Sequence, residues 1–146
     1  MIITSPKTEI EYRQYYNLRW RILRKPWGEP AGSERDNTDT KGENYCHHII
    51  ATDNNIIYGV ARLEFTTTSQ FQLRYMAVDD THQHKGIGKD IIKHAEKYSR
   101  NKNAIELFLN ARENALGFYE KMGYTVTEKS YVLFGAIQHF KMHKKL

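Results

Sequence analysis

Residues Gln72 to Ala95 read QLRYMAVDDTHQHKGIGKDIIKHA, and their pattern is the most informative part of the sequence. The short apolar run from Leu73 to Val78 predicts a strand, since it ends at an acidic pair. After a polar turn, apolar residues recur at the spacing of a helix. The predicted apolar face of this helix holds Ile87, Ile91, Ile92, Ala95 and Tyr98, and the predicted solvent face holds Lys89, Asp90, Lys93, Glu96 and Lys97. A strand, a glycine turn and a helix in this order indicate an α/β fold.

The glycine turn between the strand and the helix predicts an anion-binding site. The first turn of a helix has N–H groups without intrahelical partners, and it carries the positive end of the helix dipole. Gly86 and Gly88 let a phosphate approach the backbone closely, while His84, Lys85 and Lys89 add positive charge. The glycine spacing excludes a dinucleotide-binding GxGxxG motif and a P-loop. The alternative is a tight turn that binds nothing.

Two motifs in the second half of the chain resemble those of one enzyme family. Gln83-x-x-Gly86-x-Gly88 resembles the acetyl-CoA signature, Q/R-x-x-G-x-G/A, of the GNAT superfamily of N-acetyltransferases. The segment NARENALGFYEKMGY, residues 110–124, resembles the family's block N-x-x-N-x-x-A-x-x-F-Y-x-K-x-G-F, with one residue fewer before the alanine. Both motifs occur in the family's order, with a predicted strand between them.

The resemblance implies a GNAT-like fold, with a mixed, largely antiparallel sheet of about six to seven strands flanked by helices. It also implies direct transfer of an acetyl group from acetyl-CoA to a primary amine of a small molecule or protein. The backbone of Met76, Ala77 and Val78 would hold the pantetheine arm and polarise the thioester carbonyl. The backbone that would hold the pyrophosphate is that of Gln83, His84, Lys85, Gly86, Ile87, Gly88 and Lys89. Asn110 and Asn114 would meet the cofactor at the end of the next strand.

Tyr119 is the residue that the resemblance assigns to proton donation to the departing thiolate. A phenol with a pKa near 10 stays protonated at neutral pH and is comparable in acidity to a thiol. The alternative is that Phe118 and Tyr119 are an aromatic pair that packs a helix against the sheet.

The general base is left open by the sequence, because it varies within this superfamily and often acts through water. The family frequently has an acidic residue on the central strand, whereas this chain has Gln72 and Arg74 there. The candidates are Glu64, Asp80, His82 and His139. The loop from Trp27 to Asp36 is a candidate wall of the acceptor pocket, or a surface loop.

Length and composition favour one acetyltransferase domain over residues 1–146. The single cysteine, Cys46, cannot form an internal disulfide, and the N-terminal residues do not resemble a signal or membrane-spanning segment. A cytoplasmic protein without a membrane partner is therefore expected. The net charge of +5 is interspersed along the chain, which disfavours a nucleic-acid partner.

The remaining elements follow from local signals in the order β-α-loop-β-β-β-α-β-α-β-β. Thr8-x-x-Glu11 predicts a capping box before a helix, and Asp53-Asn54-Asn55 predicts a hairpin turn. The expected apolar side of the first helix holds Ile10, Tyr12, Tyr15, Leu18 and Ile22. The strand after the central helix is expected to place Ile105, Leu107 and Leu109 on one face.

The histidines do not predict a metal site. His47 and His48 are neighbours on a predicted strand and would point to opposite faces, while His139 and His143 are too far apart along a strand. The ending IQHFKMHKKL resembles the IPHxxMxKxL tail of many small bacterial GNAT proteins. Several family members pair through C-terminal strands, and this chain ends in a predicted apolar-alternating strand with no obvious cap, so a homodimer is predicted.

Two other functions remain open at this point. The first is a catalytically silent CoA-binding sensor or interaction module with the same fold. The second is a small basic nucleic-acid binder, although the chain lacks an aromatic-basic platform and a recognition helix.

Overall fold

A computed structural model describes residues 1–146, and its centre is one seven-stranded sheet in the order β1-β2-β3-β4-β5-β7-β6. The strands are β1 Ile2–Thr4, β2 Cys46–Asp53, β3 Ile56–Glu64, β4 Gln70–Val78, β5 Glu106–Arg112, β6 Thr125–Leu133 and β7 Ile137–Lys145. The helices are α1 Glu9–Leu23, α2 Ile87–Asn101 and α3 Leu116–Lys121, with short 3-10 turns at Lys25–Trp27, Asn37–Thr40, Asp80–His82 and Glu113–Ala115. Only the β4–β5 pair is parallel. The predicted element order and the mixed, largely antiparallel sheet are confirmed.

Helix α1 packs on one face of the sheet. Its capping box is as predicted: the Thr8 hydroxyl accepts from the Glu11 N–H at 3.1 Å, and the Glu11 carboxylate accepts from the Thr8 N–H at 3.0 Å. The prediction that Ile10 lies on the apolar side of α1 is wrong, since this residue is 66% exposed. The buried side of α1 instead includes Arg19, because this guanidinium forms an ion pair with the buried Asp39 at 2.9 Å.

Helix α2 packs on the opposite face of the sheet from α1. Its apolar face is as predicted, and it lies so close to β3 that a Cβ on Gly59 would be 2.7 Å from Ile87 Cγ2. Glu96 was expected on the solvent face but is buried. It is buried because it accepts a hydrogen bond from the Tyr124 hydroxyl at 2.8 Å and pairs with Lys144 Nζ at 3.0 Å.

The hairpin between β2 and β3 turns at Asn54 and Asn55, whose φ angles of 49° and 64° suit asparagine. Strand β5 begins one residue later than Ile105, which is 65% exposed, so that part of the predicted face is wrong. Leu107, Leu109 and Ala111 form the buried face of β5.

Strands β4 and β5 separate partway along the sheet. Residues Gln70–Leu73 of β4 pair with residues Glu106–Leu109 of β5. Beyond Leu73, the residues of β4 have a strand partner only on the β3 side. The β3–β4 register shifts opposite Tyr75, whose φ is 53°. This bulge and the separation create a gap in the middle of the sheet.

Strand β7 lies inside the sheet, between β5 and β6. The expectation of an uncapped C-terminal strand is therefore wrong, because β6 folds back and covers its outer edge. The outer strand β6 exposes Val126, Tyr131 and Val132. None of the three helices has both the length and the apolar character needed to cross a membrane.

Candidate active site

A cavity of about 370 Å³ lies where β4 and β5 separate. Met76 and Asn110 line it from these two strands, Tyr119 from α3 and His139 from β7. Three strands and one helix thus meet at the gap in the sheet. The cavity has the size of a small-molecule site.

Tyr119 is buried and lines this cavity. Its ring packs edge-on against Phe118 at 5.1 Å and Tyr124 at 6.0 Å between centroids. Burial raises the pKa of Tyr119 to about 12, although the Arg112 charge opposes the shift. The phenol therefore keeps its proton throughout the neutral and moderately alkaline range, as a proton donor requires.

The glycine turn before α2 leaves its backbone amides without internal partners. No backbone N–H from residue 83 to residue 89 donates a hydrogen bond within the protein. The first backbone N–H of α2 that does so is that of Asp90, which donates to the Gly86 carbonyl at 3.0 Å. His84 and Gly86 have φ angles of 63° and 84°, which turns successive amides toward one side. Lys85 and Lys89 are exposed beside the turn. This geometry can accept a phosphate group.

Gly88 joins this turn to the cavity. A Cβ on Gly88 would lie 3.3 Å from Met76 Cε and 3.3 Å from Phe118 Cζ. The start of α2 therefore packs directly against β4 and α3, and the turn and the cavity lie next to each other. Ile87 is buried against the sheet and contributes to the turn only its backbone.

The other predicted cofactor residues differ in their positions. Ala77 is buried among the residues beneath α1, and Val78 packs at the edge of the core on the α2 side. The Gln83 side chain donates to the Val78 carbonyl at 3.3 Å, which ties the turn to the end of β4. Asn114 is exposed on the 3-10 turn before α3 and does not line the cavity.

Of the four candidate bases, only His139 lines the cavity. Glu64 pairs with Arg62 at 3.4 Å and with Arg74 at 3.7 Å, so its charge is already engaged. Asp80 is exposed, and His82 stacks on the Tyr58 ring at 3.8 Å outside the cavity.

His139 is held as a neutral imidazole. Burial lowers its pKa, and the charges of Arg112 and Arg24 act in the same direction, while the backbone carbonyls of Ile137 and Tyr131 oppose them. Its Nδ1 lies 3.0 Å from the Ile137 carbonyl oxygen, which can only accept, so Nδ1 carries the proton. The lone pair is then on Nε2. Tyr131 stacks on the ring at 4.3 Å and fixes its plane.

The loop from Trp27 to Asp36 does not line the cavity directly. Trp27 lies at its margin, where the ring stacks on Phe134 at 6.2 Å and the Arg112 guanidinium sits 4.6 Å from the ring centroid. At the other end of the loop, Asp36 accepts hydrogen bonds from Arg62 at 2.6 and 2.9 Å.

This Arg62–Asp36 pair supports the bulge in β4. The Tyr75 hydroxyl donates to Asp36 Oδ2 at 3.3 Å, and the Arg62 guanidinium lies 4.9 Å from the Tyr75 ring centroid. Hydrogen bonding to Arg62 lowers the pKa of Asp36 to about 2, so the pair stays charged at neutral pH. A fully buried arginine thus fixes the residue whose backbone shapes the gap.

Sequence reasoning missed several residues that line the cavity, among them Arg24, Tyr75, Arg112 and Tyr131. A signal existed for Arg112, since it follows Asn110 by two residues on a strand and therefore faces the same side. Arg24 and Tyr131 offered no local signal, because their approach to the cavity depends on how α1 and β6 pack.

The histidines do not form a metal cluster, and no group of three His, Cys, Asp or Glu side chains does so elsewhere. His47 and His48 point to opposite faces of β2, as predicted. His47 stacks on Tyr98 of α2 at 3.9 Å, whereas His48 Nδ1 lies 2.7 Å from the Tyr15 hydroxyl of α1.

Comparison with known proteins agrees with this fold. Residues 31–146 match the acetyltransferase (GNAT) domain, so the chain belongs to the GNAT family of N-acetyltransferases. It is an acetyltransferase whose cosubstrate is acetyl-CoA. The uncharacterized N-acetyltransferase YjcF of Bacillus subtilis (strain 168) is 28% identical over 138 residues, which span 94% of this chain and 95% of that protein.

Solved structures share the same fold. An aminoglycoside 6'-N-acetyltransferase complexed with coenzyme A superposes with a TM-score of 0.83 at 16% identity, over 99% of this chain and 97% of that chain. The ribosomal-protein-S18-alanine N-acetyltransferase from Escherichia coli superposes with a TM-score of 0.78 at 20% identity, over 99% and 92% of the two chains.

Proposed function

We propose that residues 1–146 form one acetyltransferase domain that moves the acetyl group directly from acetyl-CoA to a primary amine in the cavity between β4 and β5. The main support for this proposal is that the glycine turn and the cavity lie next to each other at Gly88. A turn whose amides have no internal partners adjoins a cavity that holds a buried, protonated tyrosine. These features match the two ends of a ligand with a phosphate at one end and a thioester at the other.

The cofactor would be held by backbone more than by side chains. The amides from Gln83 to Lys89 would bind the pyrophosphate, with Lys85 and Lys89 adding charge. The separated edge of β4 from Met76 to Val78 would bind the pantetheine arm and donate to the thioester oxygen as negative charge develops there. Asn110 lies at the cavity wall where β5 diverges, whereas Asn114 would have to reach the cofactor from outside the cavity.

Acetyl-CoA supplies the acetyl group as an activated thioester, and the protein manages two protons. His139 Nε2 would accept the proton that the amine loses on forming its bond to the acetyl carbon. Tyr119 would donate its proton to the sulfur as the carbon–sulfur bond breaks. The neutral state of both side chains at neutral pH supports these roles.

Calorimetric titration with acetyl-CoA, followed by a screen of amines with detection of released CoA thiol, tests this function. We expect acetyl-CoA to bind and at least one amine to release CoA. Binding without release across a broad amine panel would favour the CoA-binding sensor. Absence of acetyl-CoA binding would contradict the proposal as a whole.

We further propose that the enzyme is cytoplasmic and forms a homodimer. The single free cysteine, Cys46, which is buried, is compatible with a reducing compartment. The outer strand β6 supports the dimer, because it exposes Val126 and Val132 on an unpaired sheet edge.

A further inference from the structure

The cavity is lined by three arginines and by no aspartate or glutamate. Arg24 follows α1, Arg74 lies on β4 and Arg112 ends β5. Arg74 has carboxylate neighbours, since it lies 3.8 Å from Asp36 and 3.7 Å from Glu64. The charge of the cavity therefore depends on the other two arginines.

Arg24 and Arg112 have no carboxylate partner. Both donate to one backbone oxygen, that of Leu23, at 3.1 Å from Arg24 Nη1 and 3.3 Å from Arg112 Nη2. The only other internal hydrogen bond of either group runs from Arg24 Nε to the Ser33 carbonyl at 3.2 Å. A guanidinium has about five N–H donors, so most donors of this pair remain free.

The Leu23 carbonyl cannot neutralise the two guanidinium charges. It ends α1, and a helix C-terminus carries about half an elementary charge. Two full positive charges converge on it. Burial lowers the pKa of Arg112, and the charge of Arg24 lowers it further, which agrees with unrelieved repulsion between the two groups.

Aromatic rings hold the two guanidinium groups in place. Arg112 lies 4.6 Å from the Trp27 ring centroid, and Arg24 lies 5.5 Å from that of Phe134. Such contacts orient a cation without removing its charge. The two fully buried arginines of the fold, Arg19 and Arg62, are instead paired with carboxylates. The pair at the cavity is therefore oriented, charged and available.

We propose that the acetyl acceptor is a small amine that also carries an anionic group, a carboxylate or a phosphate, which Arg24 and Arg112 bind together. This inference rests on the proposed function and specifies its acceptor. The cavity volume of about 370 Å³, part of which the acetyl end of the cosubstrate must occupy, is compatible with a small-molecule acceptor. Polycationic amines such as polyamines and aminoglycosides are expected to be poor acceptors, because the cavity offers them no carboxylate.

The first experiment compares amines that differ only in the anionic group. Phosphoethanolamine is paired with ethanolamine, and β-alanine with propylamine, while spermidine and kanamycin represent polycations. Rates of CoA release are corrected for the fraction of neutral amine at the assay pH. We expect kcat/KM to be on the order of 10-fold to 100-fold higher for the anionic member of at least one pair, as charge-assisted hydrogen bonds require.

The second experiment removes the charges from the protein. Arg24→Gln and Arg112→Gln should each raise KM for the anionic amine roughly 10-fold or more, while KM for acetyl-CoA stays unchanged. Arg112→Lys, which keeps the charge, should restore part of the loss. Arg13→Gln is the control, since Arg13 lies on α1 with an exposed side chain paired to Glu9.

The outcomes separate this inference from the proposed function. Faster acetylation of spermidine, kanamycin or the neutral amines would overturn the inference while leaving the acetyltransferase intact. A rise in KM for acetyl-CoA with unchanged acceptor KM would assign the arginines to a cosubstrate phosphate and would also overturn it. Failure to bind acetyl-CoA at all would overturn the proposed function first.

Discussion

At the residue scale, burial sets the protonation state of the groups that the proposed chemistry needs. Desolvation keeps the Tyr119 phenol protonated, and it keeps the neutral His139 imidazole from taking up a second proton. The same physical effect thus gives a proton donor and a proton acceptor in one cavity, because burial always disfavours the charged form.

Replacing Tyr119 with phenylalanine tests the proton donor. The ring and its edge-on contacts with Phe118 and Tyr124 survive, so the free energy of unfolding should change by no more than about 1 kcal/mol. We expect kcat to fall on the order of 100-fold while acetyl-CoA affinity stays near its original value. Steady-state kinetics and calorimetric titration measure the two quantities.

The pH profile of the unmodified enzyme adds a second check on this residue. A pKa of about 12 places ionisation of Tyr119 above the ordinary assay range, so loss of its proton should not reduce the rate at moderately alkaline pH. Full activity in Tyr119→Phe would show that water or His139 supplies the proton to the thiolate.

At the scale of elements, the separation of β4 from β5 and the glycine turn before α2 do most to shape the site. Gly59 lets α2 lie against β3, since a Cβ there would be 2.7 Å from Ile87 Cγ2. The start of α2 is thereby brought beside the gap in the sheet. Element packing, more than any one side chain, places the unpaired amides next to the cavity.

Replacing Gly86 with valine tests the phosphate site at this turn. Gly86 has a φ of 84°, and a Cβ there would meet nothing within 4 Å, so the side chain would occupy the space left for a ligand. A β-branched residue also disfavours this backbone conformation. We expect acetyl-CoA binding to be lost in calorimetry while the circular dichroism spectrum stays nearly unchanged.

Gly42→Val is the matched control, because Gly42 also has a positive φ, 101°, with nothing near its Cβ, in a loop away from the turn. It imposes similar strain and should leave acetyl-CoA affinity unchanged. Micromolar affinity in Gly86→Val would place the pyrophosphate site elsewhere.

At the scale of the whole molecule, the partly buried histidine His47 makes stability depend on pH. Burial lowers the pKa of His47 to about 4, and His94, His48 and Lys102 add repulsion. The unfolded chain has an ordinary histidine pKa near 6.5, so it binds more protons between these values. The stability that depends on a neutral His47 is therefore fully present above about pH 6.5, and it is lost as the pH falls toward 4.

Urea unfolding at pH 7.5 and 4.5 measures this dependence. We expect His47 to account for roughly 1 to 3 kcal/mol of the loss in unfolding free energy. His47→Phe keeps the stacking with Tyr98 and should flatten the dependence, whereas the exposed His84→Asn should not. An equal loss in His47→Phe and the unmodified protein would contradict the assignment.

The proposed dimer is tested by light scattering. We expect the unmodified protein to have the mass of two chains. The Val126→Lys variant should have the mass of a single chain, because lysine on an edge strand opposes pairing. Ile10→Lys is the control, since Ile10 is an exposed aliphatic residue on α1. A single-chain mass for the unmodified protein at high concentration would rule the dimer out.

Local features of the fold could be predicted from the amino-acid sequence alone. The capping box of Thr8 and Glu11, the turn at Asn54 and Asn55, and the strand, glycine turn and helix were all predictable, because each depends on residues a few positions apart. The motif that contains Tyr119 identified the family for the same reason. Its catalytic role remains a prediction.

The contacts between side chains that are distant in sequence could not be predicted in this way. Arg24 and Arg112 converge on one carbonyl across 88 positions of the chain, the difference between their numbers. Glu96 is buried because Tyr124 and Lys144 reach it, and β7 lies inside the sheet because β6 folds over its edge. Such contacts arise from the packing of whole elements, and no local pattern of residues encodes them.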